Sequence, residues 1–257
     1  MSFLLDQLQQ LILLNETKGQ ELIVLGQLPE FRQQAESEQD WPMIAQSYWQ
    51  EHLAHQHLVM NNQDPDNSHR LAMLVCAQSA HQVITNHNLD QLLGASHRFL
   101  GRAYTYQNQH DQAKVEYETA IELLRKASDI RYLEVTGFLC ESLIRSNQIN
   151  EGLVLAYSTF DAYDTDPLAQ TLQKVDPHTF IVWRSGIFPR LITTLEELKL
   201  DYDKVKVKKY LQKSQVILNN NPQYNYRLAE IKKTLSTLGT FLLSFIHLQS
   251  LNHFKIF

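Results

Sequence analysis

Apolar residues recur three and four apart along most of this chain, the spacing of one buried face on an α-helix rather than the alternation of a strand. Near the end, Leu228, Ile231, Leu235, Leu238, Leu242 and Phe245 give the pattern in its plainest form. The spacing predicts helices over 2–14, 19–36, 41–59, 68–85, 89–106, 111–127 and 130–146. It predicts others over 150–162, 178–199, 202–219 and 223–248. Turn chemistry marks the breaks: Asp64-Pro65-Asp66-Asn67, Asp164-Thr165-Asp166-Pro167, Asp176-Pro177 and Asn219-Asn220-Asn221-Pro222 each stop one helix and cap the next. Pro189 falls inside a predicted helix and is expected to kink it, because proline lacks a donor and crowds the preceding turn.

Small and aromatic residues sharpen this pattern in the middle of the chain. Leu100-Gly101-x-x-Tyr104 is followed by Ala113-x-x-x-Tyr117-x-x-Ala120. Two helices approach closely only where one side chain is small, so Gly101, Ala113 and Ala120 admit the bulk of Tyr104 and Tyr117. Trp41-x-x-Ile44-Ala45-x-x-Tyr48 leads, through a long loop at 61–67, to Ala72-x-x-x-Cys76-x-x-Ser79. Leu139-Cys140-x-x-Leu143 leads through Asn147-Gln148 to Gly152-x-x-x-Ala156-x-x-Thr159. A weaker echo is Asp201-Tyr202-Asp203-Lys204-Val205. These segments resemble the tetratricopeptide repeat, although Gly101 and Cys140 stand 39 residues apart against about 34 in that family.

The resemblance implies an all-α fold: antiparallel helical hairpins stacked into a right-handed superhelix. The array would be one domain over 1–257, with an acidic helical cap at 1–40, repeats at 41–219 and an apolar helix at 220–257. Trp41, Tyr48, Leu100, Tyr104, Ala113, Tyr117, Ala120, Leu139 and Leu143 would be buried between hairpins. Members of the family bind protein or peptide partners along a concave groove lined by the first helix of each repeat. Carried onto this chain, the groove would present Arg98, Arg102, Thr105 and Tyr106 from one repeat. From the next it would present Gly137, Phe138, Glu141, Ile144 and Arg145, and from the first Met43, Gln46, Trp49 and Gln50. Arg98 and Arg102 are four residues apart, one above the other on a helix, a spacing that forks around a carboxylate or phosphate. The alternative is that Arg102 pairs with Glu141 and closes the stack. The lysine-and-asparagine carboxylate clamp of chaperone-binding members is not reproduced, because Arg102 and Glu141 occupy two of its places.

Composition fits a helical protein: 8 glycines and 7 prolines in 257 residues are few for a chain rich in tight turns. Charge is uneven beneath a net −5. Residues 1–40 hold two basic and seven acidic side chains, net −5, whereas residues 199–257 hold ten basic and three acidic, net +7. Lysines that solvate outer helix faces explain this, and so does an acidic partner or an end-to-end contact between two copies. No aromatic-rich basic stripe or zinc-ligand spacing points to nucleic acid. Cys76 and Cys140 stand where small apolar residues belong and read as reduced core thiols. Residues 1–14, interrupted by Asp6 and glutamines, do not read as a signal peptide, so a cytoplasmic protein is expected.

Phosphate loops, dinucleotide turns, nucleophile elbows and metalloprotease helices are all missing, so no catalytic residue, cofactor or metal is expected. One cluster, Glu51-His52-x-x-His55-x-His57, sets His52 and His55 on one helix face, as a metal with a third ligand would need. Surface histidines on a glutamine-rich helix explain it too. Residues 234–254 carry no Lys, Arg, Asp or Glu, yet polar residues interrupt them too often for a membrane anchor. Their apolar surface predicts a homodimer through the C-terminal helix, or a tail folded back into its own groove. Together these readings describe a non-enzymatic scaffold that binds a protein or an acidic peptide. A peptide-sensing regulator of the pheromone-receptor type without a DNA-binding domain is the nearest alternative, and a metal-dependent enzyme in a helical fold the more distant one.

Overall fold

The computed structural model describes residues 3–17, 19–219, 224–225, 227–236 and 238, and among them every regular element is helical. The elements are α1 (Phe3–Asn15), α2 (Glu21–Ser37), α3 (Trp41–Met60), α4 (Ser68–Asn86), α5 (Leu93–Tyr106) and α6 (His110–Lys126). They continue with α7 (Arg131–Arg145), α8 (Ile149–Thr165), α9 (Pro167–Val175), α10 (Pro177–Glu197) and α11 (Lys204–Asn219). Residues 227–236 are also helical. No helix among the described residues is long and apolar enough to cross a membrane.

Seven of these helices end in one way. After α2, α3, α4, α5, α6, α7 and α10 the chain passes through a left-handed residue: Gln39, Asn62, Asn88, Asn108, Ser128, Asn147 and Lys199, with φ between 53° and 63°. The next amide then reaches back five residues, as in Gln109 N to Tyr104 O at 2.9 Å and Gln148 N to Leu143 O at 2.8 Å. This pairing satisfies carbonyls that the helix end would leave open. None of the seven is glycine, although a left-handed backbone disfavours a Cβ. Ser128→Gly and Lys199→Gly, both exposed, are therefore expected to raise stability by a few tenths to about 1 kcal/mol each in denaturant melts.

Starts are marked by aspartate. Asp40 accepts from Met43 N at 3.1 Å, Asp166 from Leu168 N at 2.8 Å, and Asp176 from Thr179 N at 3.0 Å, with proline following Asp166 and Asp176 directly. Between the last two caps lies α9, nine residues that the apolar pattern did not reveal as a helix. Its amphipathic face is short, with only Ala169 and Leu172 buried. The predicted helix over 89–106 also divides, into a 3-10 turn at Asp90–Leu92 and α5. Pro189 lies within α10, whose helical assignment continues through it.

The chain forms two compact units, Met1–Val135 and Thr136–Phe257, with the division falling inside α7. In the first, successive helices pair antiparallel. Gly94 of α5 meets Leu124 of α6, and two turns later Gly101 meets Tyr117, two turns earlier in α6. His55 lies beside His69 and His52 beside Met73, giving α3 and α4 the same sense. Alternate helices also touch: α1 packs on α3, and Trp49 of α3 stacks on Phe99 of α5 with ring centroids 5.1 Å apart.

The second unit is built on a similar crossing. A Cβ on Gly152 of α8 would stand 2.8 Å from the Cys140 carbonyl of α7. Beyond it Tyr157, Phe160, Phe188 and Tyr210 of α8, α10 and α11 form one aromatic cluster with centroids 4.8–5.7 Å apart. Leu228, Ile231 and Leu238 are buried as their spacing predicted. The apolar stretch from 239 onward, on which the dimer and tail expectations rest, lies outside the described residues. Leu100, Ala113, Tyr117, Ala120, Leu139 and Leu143 are buried. Trp41, Tyr48 and Tyr104 are only half-buried, a correction with a local reason at two of them: Trp41 stacks on His87 at 3.8 Å, and Tyr48 lies under the Arg32 guanidinium at 3.7 Å.

Candidate functional site

Gly101 determines what α5 presents. Because a Cβ there would lie 2.5 Å from the Tyr117 ring, α6 approaches closely on that side. The Tyr117 hydroxyl shares a hydrogen bond of 3.0 Å with Thr105 Oγ1, which also donates to the Gly101 carbonyl. Thr105 is thus an inward residue of the crossing. Arg98 points the other way and donates twice to Glu134 of α7, at 2.9 and 2.7 Å, so the carboxylate expected for its fork is the protein's own. Arg102 is 7% exposed, donates to the Tyr106 hydroxyl at 3.3 Å and lies 5.1 Å over that ring. Tyr106 keeps part of its surface in solvent.

On α7 the residues assigned to a groove meet α10 instead. A Cβ at Gly137 would be 3.5 Å from Ile187, and the Arg190 guanidinium sits 4.5 Å over the Phe138 ring. Ile144 is fully buried. Arg145 bonds Glu141 in its own helix at 3.2 Å, and across to Thr194 at 3.2 Å and Glu197 at 3.0 Å. Phe138 and Glu141 are both buried, Phe138 under Arg190 of α10 and Glu141 beside Arg145 of its own helix. On α3, Trp49 and Gln50 are buried and Met43 and Gln46 half-buried. Exposed surface therefore remains on Arg98, Tyr106 and Arg145 rather than on all seven members of the set.

His52 and His55 both face α4 but differ in their surroundings. His52 is fully buried, with Nδ1 3.0 Å from the Met73 carbonyl and its ring edge-on to Phe99. A carbonyl only accepts, so Nδ1 carries the proton and Nε2 has the lone pair, buried without a hydrogen bond. Burial pushes the His52 pKa down to about 3. Like His55 it faces α4, as the sequence spacing predicts, but it is not one of the three side chains whose ligand atoms converge.

His55 turns toward α4, where its Nδ1 lies 3.0 Å from His69 Nδ1. Burial first, and His69 second, lower its pKa. Glu51, one turn before His55, holds Arg32 of α2 at 2.5 Å. Opposite both stands Cys76, a free thiol that is 4% exposed, with its pKa pushed up to about 12 by burial and then by Glu51. Ligand atoms of Glu51, His55 and Cys76 all lie within 4.8 Å of one another. Cys76 joins the cluster because Glu51 and Cys76 sit at similar distances on either side of the 61–67 loop, which an antiparallel hairpin brings together. Elsewhere in the same unit His81 Nδ1 meets Ser96 Oγ at 3.0 Å, and His97 bonds Glu116 at 2.6 Å. Ser96 is fully buried, closed to any substrate, so this pair has the composition of a nucleophile and base without the access. No family model matches the chain, and no curated protein matches it.

Proposed function

We propose that this protein is a non-enzymatic scaffold that binds a protein or peptide partner through stacked helical hairpins of the tetratricopeptide type. The observation that carries this reading is that two successive hairpins each close on a glycine at a motif position: Gly101 of α5 on Tyr117 of α6, and Gly152 of α8 on Cys140 of α7. These residues are those of the repeat resemblance, 39 residues apart from Gly101 to Cys140. Repeating hairpins leave successive helices side by side and offer extended surface for recognition. Free thiols at Cys76 and Cys140 suit the reducing cytoplasm in which we place it. Self-association through the 220–257 segment belongs to the same reading, and light scattering on the full chain and on one ending at Thr237 tests it.

Recognition on this reading centres on Arg98 and Tyr106 of the first unit. An acidic ligand segment would compete with Glu134 for the Arg98 fork. Peptides selected from a random display library should be enriched in acidic residues and lose at least tenfold in affinity for Tyr106→Ala, with native helix content retained by circular dichroism. A selection that enriches no peptide, or enriched peptides indifferent to Tyr106→Ala, would overturn this face. Reversing Arg98 and Arg102 together is a different experiment. It leaves Glu134 without its fork partner, and roughly 1–3 kcal/mol of stability should be lost with it. Denaturant melts of that variant at unchanged stability would show that the Arg98–Glu134 pair is dispensable to the fold.

A further inference from the structure

Two rigid helices hold three different donor types at one point in the first unit. Glu51 and His55, four residues apart, present a carboxylate and an imidazole from α3, and Cys76 presents its sulfur from α4. The three ligand atoms lie within 4.8 Å of one another. Ligands on a common zinc ion at about 2.0–2.3 Å stand roughly 3.3–3.8 Å apart, so rotamer adjustment is the movement required. Glu51 and His55 are half-buried and Cys76 buried, which gives a solvent-facing entry and an inner sulfur. His55 Nδ1 lies 3.0 Å from His69 Nδ1, and in the tautomer that donates there Nε2 keeps the lone pair an ion needs. Glu51 is oriented by Arg32 at Oε2, and a carboxylate has a second oxygen to offer. Outer partners of this kind are what metal-ligating imidazoles and carboxylates normally have.

We propose that Glu51, His55 and Cys76 form a site for one divalent transition-metal ion of the zinc class, with solvent in the remaining position. The mixed sulfur, nitrogen and oxygen donors favour such an ion over magnesium or calcium, which take oxygen alone. Binding replaces the thiol proton of Cys76 with the metal and releases that proton to solvent. The ion joins α3 to α4 near the middle of their hairpin. This assignment does not depend on the chain binding a peptide.

Cobalt(II) added to the untagged full-length chain under reducing conditions tests the site, because thiolate ligation gives a near-ultraviolet charge-transfer band. Four-coordinate geometry adds intense visible bands. Both should appear at one equivalent, be displaced by zinc, and vanish in Cys76→Ser and His55→Ala. They should persist in Cys140→Ser, whose sulfur instead donates to the Thr136 carbonyl. Zinc should also raise the melting temperature of the native chain but not of Glu51→Gln, each variant being checked for native helix content by circular dichroism. Should Cys76→Ser fail to fold, Glu51→Gln and His55→Ala carry the same comparison. Absence of a charge-transfer band in the folded native chain overturns the proposal, as does a band that survives Cys76→Ser.

Discussion

Gly101→Leu is expected to destabilise the protein by roughly 1–3 kcal/mol at least, and Gly101→Ala by nearly as much. The Cβ alone meets Tyr117 Cδ1 and Cε1 at 2.5 Å, closer than real carbon atoms pack. The ring cannot swing aside, since Tyr117 is fully buried and its hydroxyl is shared with Thr105. Relief would have to come from moving α6 away from α5, which also loosens Gly94 from Leu124. Gly26, inside α2, is the internal control: nothing stands within 4 Å of its Cβ position. Gly26→Ala should therefore stabilise by about 0.5–1 kcal/mol through helix propensity alone. Urea melts of the three variants decide the matter, and a neutral Gly101→Ala would show that α5 and α6 do not close on that glycine.

Acidification should unfold the first unit through His52. Its folded pKa, about 3, lies below the ordinary value of 6.5, because burial disfavours the charged ring. Between those values the unfolded chain binds the proton and the folded chain does not, so stability falls as pH drops through 6.5 toward 3. From pH 7 to pH 5 the loss from this one ring is about 2 kcal/mol. His55 and His81, whose pKa values are also lowered by burial, act in the same direction. His52→Asn keeps a donor for the Met73 carbonyl and removes the titration. The difference between native and variant stability, measured by urea melts from pH 7.5 to pH 4.5, should thus shrink as pH falls. Parallel profiles would assign the acid sensitivity to the other histidines.

Helix positions were legible because the three-and-four spacing of buried residues is local and survives without tertiary context. The crossing of Gly101 on Tyr117 was legible for the same reason, being a requirement of size at a fixed helical spacing. Failures came where a partner distant in sequence decides the outcome. Phe138 lies under Arg190 of α10, and nothing near residue 138 announces α10. Trp41 and Tyr48 are aromatic at the right spacing, yet His87 and Arg32 engage their faces and leave part of each exposed. Helix α9 escaped because nine residues with two buried positions barely register a period. The candidate metal site was half legible: Glu51 and His55 share a helix, whereas Cys76 enters only through the folding of the hairpin around a loop of unusual length.

The seven left-handed helix stops limit how the chain can change in length. Each stop requires that the carbonyl five residues before its final amide belong to an inward residue, as with Leu58, Ile84, Tyr104, Leu124, Leu143 and Leu195. Inserting one residue within a helix turns everything downstream by about 100°, so the stop and the buried face would part company. Growth is tolerated only where helices are delimited in another way. Between α8 and α10 no left-handed stop occurs, and two Asp-Pro steps delimit α9 on their own. A helix bounded by such self-sufficient caps can be added or removed without disturbing the register of its neighbours. Natural length variants of this protein should accordingly differ at 166–176 and not within α5 or α6.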